Sequence, residues 1–219
     1  MRSSFDRRVL PEPALELVRA LQRRAPCHLA GGAALSGAYL GHRRSRDLDL
    51  FCHDRAEVRA LVRELPVVAS ECGLEIELVR DAGTFVRAAV RGAGDDLEVD
   101  LVFESTPDLE PPPPPVDGVV VESLADLRAA KLTCLLSRSE PRDLVDLLFL
   151  ERAGFPPERD LPLALEKDRG IDPGVLAWLL GQFPTAPLPE MLAPLTEGEL
   201  VSFRDELRER LRRLAVPGA

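Results

Sequence analysis

Five consecutive prolines, at positions 111–115, constrain the fold of this chain more than any other feature of its sequence. Proline fixes φ and has no backbone N–H, so such a run belongs neither to a helix nor to a central strand. The length of 219 residues suits one domain with an appendage or two small domains. We therefore predict a core over residues 1–110, a stiff extended connector, and a second region over residues 116–219.

The spacing of apolar residues differs on the two sides of this connector. The strands predicted before it are 27–30, 47–52, 74–80, 84–91 and 97–103, with helices at 12–24 and 55–72, the second of them kinked or ended by Pro66. The helices predicted after it are 123–137, 141–153, 160–169, 173–182 and 197–214. The predicted fold class is α+β, with a mixed sheet flanked by helices and then a helical C-terminal region.

Composition and charge exclude several classes of protein. With 45% apolar and 30% charged residues, the chain has the balance of a globular protein, and its apolar runs are too short to predict a membrane span. The net charge of -9 argues against a protein that coats nucleic acid, and we expect no specific DNA binding. No signal peptide is visible, so we expect a cytoplasmic location.

Cysteine and histidine do not form a recognisable metal motif in the sequence. Cys27, Cys52, Cys72 and Cys134 are scattered without a CxxC pair, which indicates reduced thiols rather than disulfides. The histidines near two of these cysteines lack the spacing of a structural zinc site, so we do not expect zinc.

The first candidate site is the acidic pair Asp47 and Asp49 in the alternating segment DLDLFC. Residues two apart on one strand share a face, with Cα atoms about 6.5 Å apart. Their carboxylates suit Mg²⁺ or Mn²⁺, which prefer hard oxygen ligands. The alternative is a polar sheet face that simply contacts solvent.

The residues around this pair favour a nucleotide site. Gly31 and Gly32 lie at a strand-to-helix turn, where backbone N–H groups bind phosphate and glycine permits close approach. Ser45 and the Arg43–Arg44 pair can add a hydroxyl and a guanidinium to the same triphosphate. A third acid is expected from LEVDLVF, where we prefer Asp100 over Glu98 because apolar residues flank it.

The stretch LAGGAALSGAYLGHRRSRDLDLF resembles the signature of the nucleotidyltransferase superfamily with the DNA polymerase β type of fold. Together with SLADLRAAKLTCLLSRSEPRDLVDLLFL it is similar to the AbiEii-type toxin family, the nucleotidyltransferases of bacterial abortive-infection and toxin–antitoxin systems. The resemblance covers roughly residues 25–155. It implies phosphate contacts from Gly31, Gly32 and Ser45, metal binding by Asp47 and Asp49, a phosphate-binding lysine at Lys131, and an acid at Asp143 facing the same cleft.

Lys131 agrees with that assignment because the chain has only two lysines, Lys131 and Lys167, among 28 basic residues. The alternative for Lys131 is a solvated helix residue. In the wider superfamily serine often stands where this chain has Gly32, and the third acid is less fixed in this branch, so Asp100 is the weaker metal ligand of the three.

The predicted activity is Mg²⁺-dependent transfer of a nucleoside monophosphate from an NTP to an acceptor hydroxyl, with Asp47, Asp49 and Asp100 as the metal-binding acids. The helical region is expected to complete the cleft. For a toxin the acceptor is an RNA, such as a tRNA 3′ end, and the partner is a cognate antitoxin. We expect Arg43, Arg44 and Arg46, with Arg138 and Arg142, to form a basic rim for that RNA. The alternatives are a small-molecule acceptor such as an aminoglycoside, and an inactive protein-binding module of the same fold.

Overall fold

The structure, a computed structural model, describes residues 2–92, 94 and 96–215. The chain divides into two units, Met1–Ser123 and Leu124–Ala219. Residues after the proline run still belong to the first unit, because the Leu29 N–H donates to the Val120 carbonyl and the Glu122 N–H donates to the Leu29 carbonyl, both at 2.9 Å. The functional division into a core (1–110) and a helical region (116–219) that completes a cleft remains a prediction.

The first unit contains a five-stranded sheet and three α-helices among its described residues. Its strands are β1 (His28–Leu29), β2 (Asp47–Cys52), β3 (Glu75–Asp81), β4 (Phe85–Arg91) and β5 (Leu97–Phe103). Its α-helices are α1 (Glu12–Arg24), α2 (Gly31–Ala34) and α3 (Arg55–Glu71), and α2 continues into a π-helical turn, Leu35–Leu40. The first strand is shorter than the predicted 27–30, because the turn into α2 begins directly after it.

The sheet has the strand order β1-β2-β5-β4-β3, and it is mixed, as predicted. β2 and β5 are parallel, while the other neighbouring strands are antiparallel. Leu48 and Leu50 of β2 are buried, and their β5 partners Val99 and Leu101 are buried with them. The alternate residues of both strands therefore share the opposite face, which carries the acids.

The second unit is helical. Its α-helices are α4 (Leu124–Ser137), α5 (Pro141–Arg152), α6 (Leu161–Lys167), α7 (Pro173–Leu180) and α8 (Glu197–Ala215), with a 3₁₀ turn at Pro157–Asp160. Helix α4 packs on α5 and α6 and buries Leu127, Leu132 and Leu135, and α7 packs on α8. Within the described ranges, no helix is long and apolar enough to span a bilayer.

Helix α3 continues through Pro66, which the sequence analysis expected to kink or end it. Its start is fixed by a capping box, in which the Asp54 carboxylate accepts from the Ala56 N–H at 2.7 Å and the Asp54 N–H donates to Glu57. Its inner face is held by the buried side chains of Val58, Leu61 and Leu65. This packing outweighs the missing N–H of one exposed proline.

We expect Pro66→Ala to raise the free energy of unfolding by about 1–2 kcal/mol, because an alanine N–H can donate to the preceding helical turn. Denaturant unfolding followed by circular dichroism measures this change. Pro13→Ala is the matched control, since Pro13 lies in the first turn of α1, where no helical acceptor is lost. Equal stability changes in both variants would show that Pro66 does not weaken α3.

Candidate active site

The turn between β1 and α2 places the backbone of Gly31 directly against the carboxylate of Asp49. A Cβ atom at Gly31 would lie 2.0 Å from Asp49 Oδ2, and Gly31 has a φ of +60°, which favours glycine. The Ala30 N–H donates to the Asp49 carbonyl at 2.8 Å, which holds the turn and β2 together next to this contact. The structure therefore brings the predicted glycine turn and the predicted acidic pair together.

Gly32 leaves space for the guanidinium of Arg43. A Cβ atom at Gly32 would lie 2.2 Å from Arg43 Nη2. Arg43 is only 3% exposed, and its Nη1 donates to the Arg44 carbonyl at 3.0 Å. The predicted place of Arg43 on an exposed basic rim is wrong, because its guanidinium fills the space beside the turn. Arg44 and Arg46, in contrast, are exposed.

Ser36 fixes the segment that carries Arg43, and the sequence analysis missed it. Its fully buried hydroxyl donates to the Arg43 carbonyl at 2.7 Å and accepts from the N–H groups of His42 and Arg43, both at 3.1 Å. Its polar side chain within the apolar segment AALSGAYL was the available signal, because a buried hydroxyl needs partners.

Ser45 is buried beside the acidic strand. Its hydroxyl donates to the Asp47 carbonyl at 3.3 Å, and its N–H donates to the Val9 carbonyl at 3.3 Å. These bonds hold the start of β2. Its contact with a nucleotide phosphate remains a prediction.

Four carboxylates share one face of the sheet. In the parallel register of β2 and β5, Asp47 lies beside Glu98 and Asp49 lies beside Asp100. Asp47 and Asp49 are half-buried, whereas Asp100 is only 4% exposed. The predicted neighbours of the acidic pair are therefore on the strand and face that the sequence analysis assigned.

Arg87 on β4 binds the acids of β5, and the sequence analysis did not identify it. Its Nε donates to Asp100 Oδ1 at 2.8 Å and its Nη2 to Asp100 Oδ2 at 2.6 Å, while Nη1 lies 3.0 Å from Glu98 Oε2. The hydrogen bonds with Asp100, and then the charges of Asp100, Glu98 and Asp47, raise the pKa of Arg87. Both oxygens of the predicted third metal ligand are therefore occupied by a cation.

The four carboxylates on this face of the sheet, called the acidic face below, differ in how well they suit a divalent cation. Asp47 and Asp49 fit, because they are half-buried and present hard carboxylate oxygens on one face of β2. Asp47, Asp49 and Asp100 do not form a group of three ligand atoms within 4.8 Å; among the described residues such a group is formed by His28, His53 and Asp108. The assignment of Asp100 to the metal remains a prediction.

In the second unit, Lys131 and Asp143 contact each other inside a buried ionic cluster. Lys131 Nζ lies 3.3 Å from Asp143 Oδ1 and 2.7 Å from Asp146 Oδ2, and the lysine side chain is 3% exposed. The alternative that Lys131 is a solvated helix residue is wrong. Lys167 is half-buried, with its Nζ 2.6 Å from an oxygen of the buried Asp126.

Arg138 completes this cluster. It is exposed and donates to both carboxylate oxygens of Asp143, each at 2.8 Å, and its place on a basic rim remains a prediction. Burial by itself raises the pKa of Asp143, but the charge of Lys131 and the bonds from Arg138 outweigh burial and lower it. Asp143 is therefore held as a carboxylate near neutral pH.

Lys131→Met should lower the free energy of unfolding by about 3–5 kcal/mol, because it leaves the carboxylates of Asp143 and Asp146 buried without their shared cation. Urea unfolding monitored by circular dichroism provides the measurement. Arg169→Met, an exposed change of the same charge in the same unit, should alter stability by less than about 0.5 kcal/mol. A Lys131→Met protein as stable as this control would contradict the buried cluster.

A family model, the nucleotidyl transferase AbiEii toxin of type IV toxin–antitoxin systems, matches residues 17–216. The fold is similar to JHP933 from Helicobacter pylori, with a TM-score of 0.62 and 19% identity over 97% of this chain and 95% of that one. It is also similar to MenT4, a nucleotidyltransferase toxin from Mycobacterium tuberculosis H37Rv, with a TM-score of 0.58 and 17% identity over 92% of this chain and 85% of that one. No curated protein sequence matches the chain significantly. The acidic face beside a glycine turn, the mixed sheet and the match over most of the chain agree, and the chain belongs to the AbiEii family of nucleotidyltransferase toxins.

Proposed function

We propose that this nucleotidyltransferase transfers a nucleoside monophosphate from a magnesium-bound NTP to the terminal hydroxyl of an RNA. The family implies an NTP substrate and an antitoxin partner. The observation that carries the proposal is the contact between Gly31 and Asp49, where Oδ2 occupies the space of a side chain. It sets carboxylate oxygens beside the start of a helix, whose backbone N–H groups favour phosphate, and a metal-bound triphosphate requires both kinds of group.

Asp47 and Asp49 would hold the divalent cation. When bound, such a cation neutralises phosphate charge and lowers the pKa of an attacking hydroxyl. The phosphates themselves are bound by other residues of the chain. Gly31 and Gly32 are proposed to bind the phosphates through their backbone N–H groups, while the Asp49 carboxylate and the Arg43 guanidinium fill the space that side chains at these glycines would need.

Transfer requires one bond to form and one to break. The acceptor oxygen forms a bond to the α-phosphorus, while the bond from that phosphorus to the bridging oxygen breaks and pyrophosphate leaves with the electron pair. The proton of the hydroxyl passes to a carboxylate of the acidic face. The protein itself contributes little covalent chemistry to this transfer. Positioning of the two substrates and electrostatic stabilisation therefore supply most of the catalysis.

Arg87 positions the acids of β5. By binding both oxygens of Asp100 and contacting Glu98, it offsets the repulsion among four carboxylates and fixes the rotamer of Asp100. We assign Arg87 to this positioning role. By the family resemblance Lys131 is proposed as the phosphate-binding lysine and Asp143 as a catalytic acid, and these roles require the buried ion pair between the two to open.

Different features of the chain favour two classes of acceptor, RNA and a small molecule. RNA is favoured by the toxin family and by the exposed arginines Arg44 and Arg46, which immediately precede Asp47. A small-molecule acceptor, such as an aminoglycoside, is favoured by the net charge of -9, since a polyanion is repelled by an acidic surface.

The activity is tested by incubating the protein with each α-labelled NTP, Mg²⁺, and either total RNA or a panel of aminoglycosides. We expect label in RNA, and we expect Asp49→Asn to reduce transfer at least about 100-fold, equivalent to about 2.7 kcal/mol, with the fold retained. The asparagine side chain has the same shape beside Gly31 as the aspartate side chain but carries no negative charge.

Asp96→Asn is the control for this experiment, because it makes the same chemical change at an exposed position before β5. It should transfer label at the wild-type rate. Label in an aminoglycoside but not in RNA would show that the acceptor is a small molecule. The acidic face would remain the proposed catalytic site. Wild-type transfer by a folded Asp49→Asn protein would contradict the site itself.

A further inference from the structure

A second cluster of ligand-type side chains lies at the edge of the first unit's sheet. The dipeptide Cys-His occurs twice, at 27–28 and at 52–53, and the antiparallel pairing of β1 and β2 brings the two copies together. The rings of His28 and His53 have centroids 5.6 Å apart. Asp108, from the loop between β5 and the proline run, completes a group whose ligand atoms all lie within 4.8 Å of one another.

The hydrogen-bond partners of His53 indicate a cation. Nδ1 lies 3.1 Å from the Glu104 carbonyl oxygen, and Nε2 lies 3.0 Å from Asp108 Oδ1. Both partners are acceptors when Asp108 is ionised, whereas a neutral imidazole has one donor and one lone pair. With Nδ1–H donated to Glu104, the Nε2 lone pair faces a carboxylate oxygen, which is unfavourable unless a positive charge lies beside them.

A metal ion satisfies this arrangement better than a second proton on the ring. A metal-binding histidine commonly donates its other ring N–H to a backbone carbonyl, which is the contact that Nδ1 makes with Glu104. His28 adds a second imidazole to the same group, and each neutral imidazole has a lone pair that can bind a metal. Two imidazoles and one carboxylate are the donor set of many zinc sites.

The distances allow this assignment with a small movement. Two ligands of a tetrahedral zinc ion lie about 3.3 Å apart, close to the 3.0 Å between His53 Nε2 and Asp108 Oδ1. The largest separation in the group exceeds that value by about 1.5 Å at most, and the side chain of His53, which is 40% exposed, can rotate to shorten it.

We infer that His28, His53 and Asp108 form a zinc-binding site with three protein ligands, separate from the acidic face. A cavity of about 370 Å³ adjoins the group and leaves room for water as a fourth ligand. The ion would tie the loop that precedes the proline run to the strands β1 and β2. It does not rest on the proposed function, since it shares no residue with the nucleotide site.

The site is tested on the full chain after dialysis against EDTA and removal of the chelator. Zinc is titrated by calorimetry, and thermal unfolding is followed with and without zinc. We expect one zinc ion per chain and a higher unfolding temperature, because a ligand that binds only the folded state stabilises it. The visible absorption of cobalt added in place of zinc should be that of a tetrahedral site.

His53→Ala and Asp108→Asn should each weaken zinc binding at least tenfold and remove the thermal stabilisation. Both positions are at least partly exposed, and circular dichroism confirms that the variants fold. Asp49→Asn, on the acidic face, and Asp96→Asn, at an exposed position, are the controls and should bind zinc as the wild type does.

Three results would overturn the inference. The wild-type chain could bind no zinc. Folded His53→Ala and Asp108→Asn variants could bind zinc as tightly as the wild type. Zinc binding could be lost in Asp49→Asn and kept in His53→Ala, which would place the ion on the acidic face.

Discussion

The parallel pairing of β2 with β5 is the constraint on which the rest of the site depends. It sets Asp47 beside Glu98 and Asp49 beside Asp100, so that four carboxylates lie on one face of two central strands. Like charges at this spacing repel one another. Arg87 offsets part of that repulsion from the neighbouring strand, through two hydrogen bonds to Asp100 and an ion pair with Glu98. Asp47 and Asp49, the two acids of β2, are half-buried and lie beside the glycine turn.

The two lysines of this arginine-rich chain both contact fully buried carboxylates. Lys131 lies between Asp143 and Asp146, and Lys167 contacts Asp126, with all three carboxylates fully buried. A compact ammonium group fits such a space, whereas a planar guanidinium needs room for a fork of five N–H donors. The rarity of lysine therefore pointed to a special environment, although the sequence does not reveal that both lysines share it.

The strands that follow from a local pattern of apolar and polar residues could be predicted from the sequence. The contacts that depend on which residues face each other across strands could not. The alternating segments 47–52 and 97–103 became β2 and β5 with the predicted bounds. Arg87 and Ser36 were not identified, because their partners lie on another strand or across a turn. Arg43 was expected on the surface, since nothing in its spacing shows that a glycine opposite it has left room for its guanidinium.

The central claim is that Asp47 and Asp49 bind an NTP through a divalent cation. Calorimetric titration of the wild-type protein with a non-hydrolysable NTP, once in Mg²⁺ and once in EDTA, tests this claim most directly. We predict that the affinity in Mg²⁺ exceeds that in EDTA at least tenfold, equivalent to about 1.4 kcal/mol. Equal affinities in the two buffers would contradict the account, because the carboxylates would then repel the triphosphate instead of holding it through the metal.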